Sequence, residues 1–389
     1  MVFGATGADL IKSYVSEDIA IYQHHDTAIN MRVLLHTIIR FRLNHEGYLR
    51  SYLAFVKPRV VITNEDNDLL FYRIPDLLPD CTTIAIQNGR RDNYARHQLG
   101  GFFEMLRHLR ETRPVSVSVL CTFGTAVAQL YRDALGTGGI GSLIPIGSLR
   151  NNAVAPRTTS GLQRLVYVSS MPNFELGMDP LATDVFAFYH GKPISPHDYW
   201  SIESSIVREA ATFAANTNRK FVILGKRASR HPGEYRYYKE ILREQEWEFV
   251  PANTHATSYE AIFADDVVVS SDSTLAYEMF GRGIRTAFIS ARLAIPGLTQ
   301  YRDCDFGFPL SLPRKGPFWT NETSTTEIHR VLRFSADSTS AEWMNASENH
   351  RKEMMLLDPG NGIFCEILKS LNVANTGPHL WPQHLVPLN

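Results

Sequence analysis

The chain has 389 residues, 44% hydrophobic and 20% charged, with 39 basic against 40 acidic side chains. A length beyond what one hydrophobic core supports predicts two domains, and the neutral balance excludes a global field that would gather nucleic acid or an anionic surface. Cys81, Cys121, Cys304 and Cys365 stand far apart with no CxxC pair, which argues against a zinc knot or a disulfide framework and for reduced thiols.

The start, MVFGATGADL, lacks the basic flank and long apolar run of a signal peptide, and no stretch approaches about 18 uninterrupted apolar residues. A cytoplasmic protein is expected. From there the chain alternates short β-branched runs with helical patterns. Strands are expected at 19–23, 59–63, 83–87, 115–121 and 143–147, with helical stretches at 27–56 and 98–112 between them. Strands separated by helices cannot be hairpins, so the pattern predicts a parallel sheet covered on both faces.

At 148–163 the text becomes polar and is broken by proline and glycine, after which the alternation restarts. The expected division is an N-terminal Rossmann-like domain over 1–152, a linker over 153–163, and a C-terminal Rossmann-like domain with C-terminal helices over 164–389. Strands of the second half are expected at 165–170, 220–225, 247–252, 265–271 and 285–290. Helices are expected near 195–216, 233–245 and 273–281, and again at 325–335, 341–356 and 361–371. The fold class is therefore α/β, with two parallel sheets facing an interdomain cleft, and such sheets bind ligands at the carboxyl ends of their strands.

The clearest strand-end constellation is SSDSTLAYE (270–278). A helix start with unpaired amides suits a phosphate, and Ser270, Ser271, Ser273 and Thr274 add hydroxyl donors, while Glu278 lies where a sugar hydroxyl would be met. The plain alternative is an ordinary helix cap. A second loop, GKRASRHPG, gathers Lys226, Arg227, Arg230 and His231 behind another strand; it reads as phosphate-binding, or as a solvated basic loop. In the first half, Asn64 to Asp68 end one strand and Gln87, Asn88 and Arg90 end the next. Asp66 and Asp68 are candidates for acid, base or nucleophilic work, and Asn67, Gln87, Asn88 and Arg90 for holding substrate, against the alternative of a turn that satisfies only backbone groups. Glu175 and Asp179 are weaker candidates on a loop expected to overhang the cleft, and Glu104 is weaker still. Metal-ligand spacing, a P-loop, a nucleophile elbow and a full GxGxxG are all missing from the sequence, so neither metal nor cofactor is expected; His24 and His25 read as surface or core.

Four ordered motifs carry a family resemblance: Asp66–Asn67 followed by Phe71–Tyr72, AIQNGR (85–90), IGSLRNN (146–152) and SSDSTLAYE (270–278). Together they resemble bacterial surface-carbohydrate glycosyltransferases of GT-B fold, the retaining β-Kdo transferases among them. The pair His231–Pro232 with the double serine is similar to the CMP-binding arrangement of bacterial sialyltransferases. The resemblance implies metal-independent transfer of Kdo, or a related acidic sugar, from a CMP-activated donor to a lipopolysaccharide or surface-polysaccharide acceptor. A carboxylate nucleophile is implied for the retaining course, with Asp66, Asp68, Glu175 and Asp179 as candidates. The implied partners are a nucleotide-sugar donor, a glycan or glycolipid acceptor, and other glycan-assembly proteins at the inner face of the membrane, with no nucleic acid. Competing readings are a CDP-alditol phosphotransferase, a non-hydrolysing NDP-sugar epimerase, and a degenerate GT-B domain that only binds glycan.

Overall fold

The computed structural model describes residues 1–5, 7–15, 19–23, 29–91, 100–171, 179–226, 232–252 and 255–373. Its first sheet is six-stranded: β1 (Val2–Phe3), β2 (Ile21–Tyr22), β3 (Val60–Thr63), β4 (Thr82–Ile86), β5 (Val117–Thr122) and β6 (Ile140–Pro145). They lie in the order β2-β1-β3-β4-β5-β6, every pair parallel.

In the second half, β7 (Arg164–Val168) is followed by a small antiparallel hairpin, β8 (Ala187–Tyr189) and β9 (Lys192–Ile194). The remaining strands are β10 (Lys220–Leu224), β11 (Glu248–Val250), β12 (Val267–Ser270), β13 (Arg285–Ile289), β14 (Lys315–Gly316) and β15 (Trp319–Thr320). The second sheet runs β11-β10-β7-β12-β13-β15-β14 and is parallel except for the last pair. Neither hairpin, the separate β8–β9 nor β14–β15 at the sheet edge, was legible, because the strands are two or three residues long and show no alternation.

The central strands are buried on both faces, as runs such as LVYV and VVVS require of a parallel sheet covered by helices. Apolar clusters lie on both sides of each sheet. The expected helix over 27–56 is two helices, Met31–Ile39 and His45–Val56; the second starts on the side chain of Asn44, which accepts from the Gly47 amide.

The expected division of the chain needs one correction at its end. Helix Gly362–Ser370 does not pack on the second sheet: Phe364, Cys365, Ile367 and Leu368 join Val2, Ile11, Ile62 and Ile84 under the first. The segment that crosses back, around 353–361, is held closely. Leu356 donates its amide to Phe123 O at 2.8 Å, Ala126 donates to Glu353 O at 2.9 Å, and a Cβ on Gly124 would stand 2.1 Å from Glu353 O. Asn361 then bonds the Tyr14 hydroxyl and Leu149 O of the first domain. The apolar spacing of 361–371 was read correctly as a helix, but nothing local to it states which of two equivalent sheets it covers.

Candidate functional site

Each sheet has a switch point, where chain order reverses between neighbouring strands and the following loops part to leave a crevice. In the second sheet it lies between β7 and β12, and the loops there begin at Ser169 and Ser271. In the first it lies between β1 and β3. There the turn after β1 is pressed against Asn64 and Glu65: Gly4 and Gly7 hold φ of 86° and 76°, and a Cβ on either would stand within 2.6 Å of those two side chains.

The carboxyl ends of both sheets open on one cleft, with a cavity of about 400 Å³. Its first-domain wall is Asn64, Gln87, Asn88, Ser148 and Arg150; its second-domain wall includes Ser169, Lys226, Tyr259, Ser273, Thr274 and Glu278. Helix Thr274–Gly281 starts at this cavity. The Ser273 side chain makes no cap bond; instead the Ser270 hydroxyl accepts from the Ser273 amide at 3.1 Å. A helix leaves its first amides without intrahelical acceptors, so this start presents donors and the positive end of its dipole to the cleft.

Ser148 and Asn151 bind this helix from the other domain. The Ser148 hydroxyl and the Tyr259 hydroxyl both donate to the Glu278 carboxylate, and Asn151 Nδ2 donates to Glu278 O at 3.3 Å. Arg282 returns the contact, donating to Asn151 Oδ1 and O at 2.6 Å and to Val154 O at 2.7 Å. Burial raises the Glu278 carboxyl above its ordinary value, and the hydroxyls of Ser148 and Tyr259 offset part of that rise. The second loop of the first domain also touches this helix, where the Arg90 amide donates to Thr274 Oγ1 at 3.2 Å.

Beneath the serine loop lies a buried ionic network built on Arg292, a residue the sequence reading missed. Its guanidinium, fully enclosed, donates to Asp272 at 2.6 Å, Glu203 at 3.1 Å, Ser271 at 3.0 Å and Tyr199 O at 2.8 Å, and also to Ser170. Burial alone would push the Asp272 carboxyl up, but Arg292 beside it holds it down at about 2. Glu203 and Asp272 accept from one cation, so the network is a rigid floor. An arginine immediately after an apolar strand, as in AFISARLAIPG, was the available signal.

Several expected roles change with this geometry. Asp66 is fully buried: its carboxylate accepts from Arg91, from the Tyr131 hydroxyl and from the Asn88 amide at 3.0 Å. Burial works against charge on Arg91, but Asp66 more than compensates and holds the guanidinium above its ordinary pKa. Asp66 therefore organises the 87–91 loop and is not exposed for nucleophilic attack. Asp68 caps the following turn, accepting from the Leu70 amide at 2.8 Å, and Asn67 is exposed outside the cavity lining. Gln87 reaches the cavity with its amide already used, donating to Gly89 O and accepting from the Phe123 amide, both at 2.9 Å. Ser270 and Ser271 are buried, the first bonded within the helix turn and the second to Arg292, so neither hydroxyl faces a ligand. Asp179 is exposed and accepts from the Leu181 amide at 2.9 Å. Glu104 closes a capping box on Gly101. Glu175, Arg227, Arg230, His231, His24 and His25 lie outside the described residues.

What the structure does bring together from the expected set is Lys226, Ser273, Thr274, Glu278, Gln87 and Asn88. Ser148, Arg150 and Tyr259 were missed, the first two because IGSLRNN was read only as a family mark preceding a linker. Among the described residues no cluster suited to a metal ion is present, and no helix is long and apolar enough to cross a membrane.

Two parallel-sheet domains with their strand ends opposed across a cleft, closed by a last helix that returns to the first domain, define a GT-B-like architecture. Residues 84–372 match the family described as "putative O-antigen biosynthesis protein", and the chain belongs to that family. No curated protein matches the chain by sequence. Among solved structures, the S. aureus MnaA-UDP co-structure is 10% identical over 97% of each chain, with a TM-score of 0.49. The wall teichoic acid polymerase TagF is 10% identical over 95% of this chain and 81% of its own, with a TM-score of 0.48. The UDP-GlcNAc 2-epimerase from Neisseria meningitidis bound to UDP-GlcNAc is 9% identical over 95% and 98%, with a TM-score of 0.46.

Proposed function

We propose that the chain is a glycosyltransferase of surface-glycan assembly, with a nucleotide-activated sugar held on its second domain. The observation that carries this reading is the uncapped start of helix Thr274–Gly281 at the cleft, with Lys226 and Arg150 lining the same cavity and Glu278, the one lining carboxylate among the described residues, bound by two hydroxyls. Such a wall suits an anionic ligand. When the glycosidic bond to the nucleotide breaks, negative charge grows on the leaving phosphate; fixed amides, the Ser273 hydroxyl and the Lys226 ammonium are placed to stabilise it without reorganising.

The donor in this proposal is a CMP-linked acidic sugar, Kdo or a relative. That identity is supported by the motif resemblance of SSDSTLAYE and His231–Pro232. The acceptor is a lipopolysaccharide or surface polysaccharide, met in the first-domain half of the cleft at the inner face of the membrane. With Asp66 committed to Arg91, the attacking or activating carboxylate in this proposal is one of Asp68, Glu175 and Asp179.

The test is to incubate the protein with CMP-Kdo, CMP-sialic acid, CDP-glycerol and UDP-GlcNAc, each with and without glycolipid acceptor. Acceptor-dependent CMP release with sugar in the product supports the proposal. Incorporation of phosphate into product would replace it with phosphotransfer, epimerised UDP-sugar formed without acceptor would replace it with epimerisation, and no turnover would leave a binding domain.

A further inference from the structure

Helix Met31–Ile39 is built the wrong way round for a helix on a globular surface. It buries only Val33 and Thr37, while Met31, Leu35, Ile38 and Ile39 face outward. The apolar surface continues past the helix, through Phe41 at 92% exposure and Leu43 at 74%, and onto Phe55. An amphipathic helix normally turns such residues to the core. Contiguous apolar exposure of this kind marks a surface with an occupant.

The charges among these residues are all of one sign. Arg32, Arg40 and Arg42 are exposed between the apolar side chains, and no aspartate or glutamate occurs from 29 to 45. Beside them is a shallow hollow of about 390 Å³ lined by Phe41, Arg42, Leu43 and Arg50; Glu46, the one lining carboxylate among the described residues, is bound by Arg73 and Arg113. Phe41 itself is held at φ 53°, a left-handed conformation that phenylalanine rarely adopts, at the corner where the ring turns out to solvent. The helix follows β2, the edge strand of the first sheet, in chain order.

We propose that this face docks the protein on an anionic lipid bilayer. Apolar side chains enter the acyl boundary, and the arginines extend their guanidiniums to the lipid phosphates, the hollow by Arg42 and Arg50 taking a headgroup. The interleaving of apolar residues with one sign of charge favours a bilayer over a second copy of this chain, since a self-complementary contact through this face would set arginine against arginine. The inference rests on the glycan-assembly reading only for its setting, since it is tested without donor or acceptor.

The full chain is sedimented with vesicles of phosphatidylglycerol and phosphatidylcholine in equal parts, and with vesicles of phosphatidylcholine alone. The wild type pellets with the anionic vesicles and not with the neutral ones. Partition falls about tenfold or more for Met31→Ser/Ile39→Ser/Phe41→Ser and for Arg32→Gln/Arg40→Gln/Arg42→Gln, both with wild-type circular dichroism, because all six side chains are exposed. Failure of the wild type to pellet, equal pelleting with neutral vesicles, or retained binding in both variants would overturn the proposal. So would a concentration-dependent dimer in the ultracentrifuge that the apolar variant abolishes, which would give the face to a second copy.

Discussion

The Ser148 hydroxyl of the first domain donates to the buried Glu278 carboxylate of the second, so one hydrogen bond ties the segment after β6 to the helix that opens on the cleft. Tyr259 donates to the same carboxylate, and burial sets its proton affinity above the ordinary glutamate value. Because the folded pKa is raised, the stability this group contributes is fully present below the unfolded value and is lost as pH rises through the folded one.

Glu278→Gln should therefore flatten the pH dependence of stability above the ordinary glutamate pKa of about 4.3. Urea denaturation of wild type and variant at about pH 5 and about pH 8 checks this, and equal slopes in the two proteins would contradict it.

Ser273 and Lys226 line the cavity, and the Ser273 side chain makes no cap bond. Ser273→Ala and Lys226→Ala are each expected to weaken nucleotide binding about three- to tenfold while leaving the fold intact. Ser271→Ala should behave in the opposite way: it removes a partner of Arg292 and so lowers stability, with little effect on a ligand it does not face. Calorimetric binding and denaturation of all three variants separate the two patterns.

Arg292→Met would leave Asp272 and Glu203 buried together without their cation, a loss of about 3–5 kcal/mol. Arg292→Lys should rescue little of it, since one ammonium cannot reproduce the fork that reaches Asp272, Ser271 and Tyr199 O. Asp272, held at about 2, contributes stability that is present above the unfolded aspartate pKa and is lost as acid carries the protein down through that value. The wild type should lose stability between about pH 4 and pH 2 through this group, and the Arg292→Met variant should not show that component. Acid titration followed by tryptophan fluorescence gives the comparison.

Asp66→Asn removes the anion that compensates buried Arg91 and is expected to cost about 3 kcal/mol of stability. Nucleotide affinity should fall about two- to fivefold with it, since the Asn88 that Asp66 holds lines the cavity. Unchanged stability with abolished turnover would instead make Asp66 a catalytic residue.

The fold was legible because buried parallel strands write themselves as unbroken runs such as VVVS and KFVIL, and helices such as Pro196–Asn216 begin at a serine capping box. The site was legible only as far as strand ends reveal it. Lys226, Ser273 and Thr274 were found because polar residues followed apolar strands. Asp66 looked catalytic for the same reason, since an acid beside an asparagine at a strand end reads alike whether it faces solvent or a buried arginine 25 residues later. Arg292 and Glu203 were missed because their pairing spans 89 residues, and long-range ion pairs have no local pattern. The return of helix Gly362–Ser370 to the first sheet is equally nonlocal.

The central claim is that the second domain holds a nucleotide by its phosphate at the start of helix Thr274–Gly281. Calorimetric titration of the full chain with CMP, CDP and UDP in parallel, without added metal, tests it most directly, with Ser273→Ala as the control. The account predicts binding, strongest for CMP and weakened by the substitution. No binding of any of the three, or binding that the substitution leaves untouched, would contradict it.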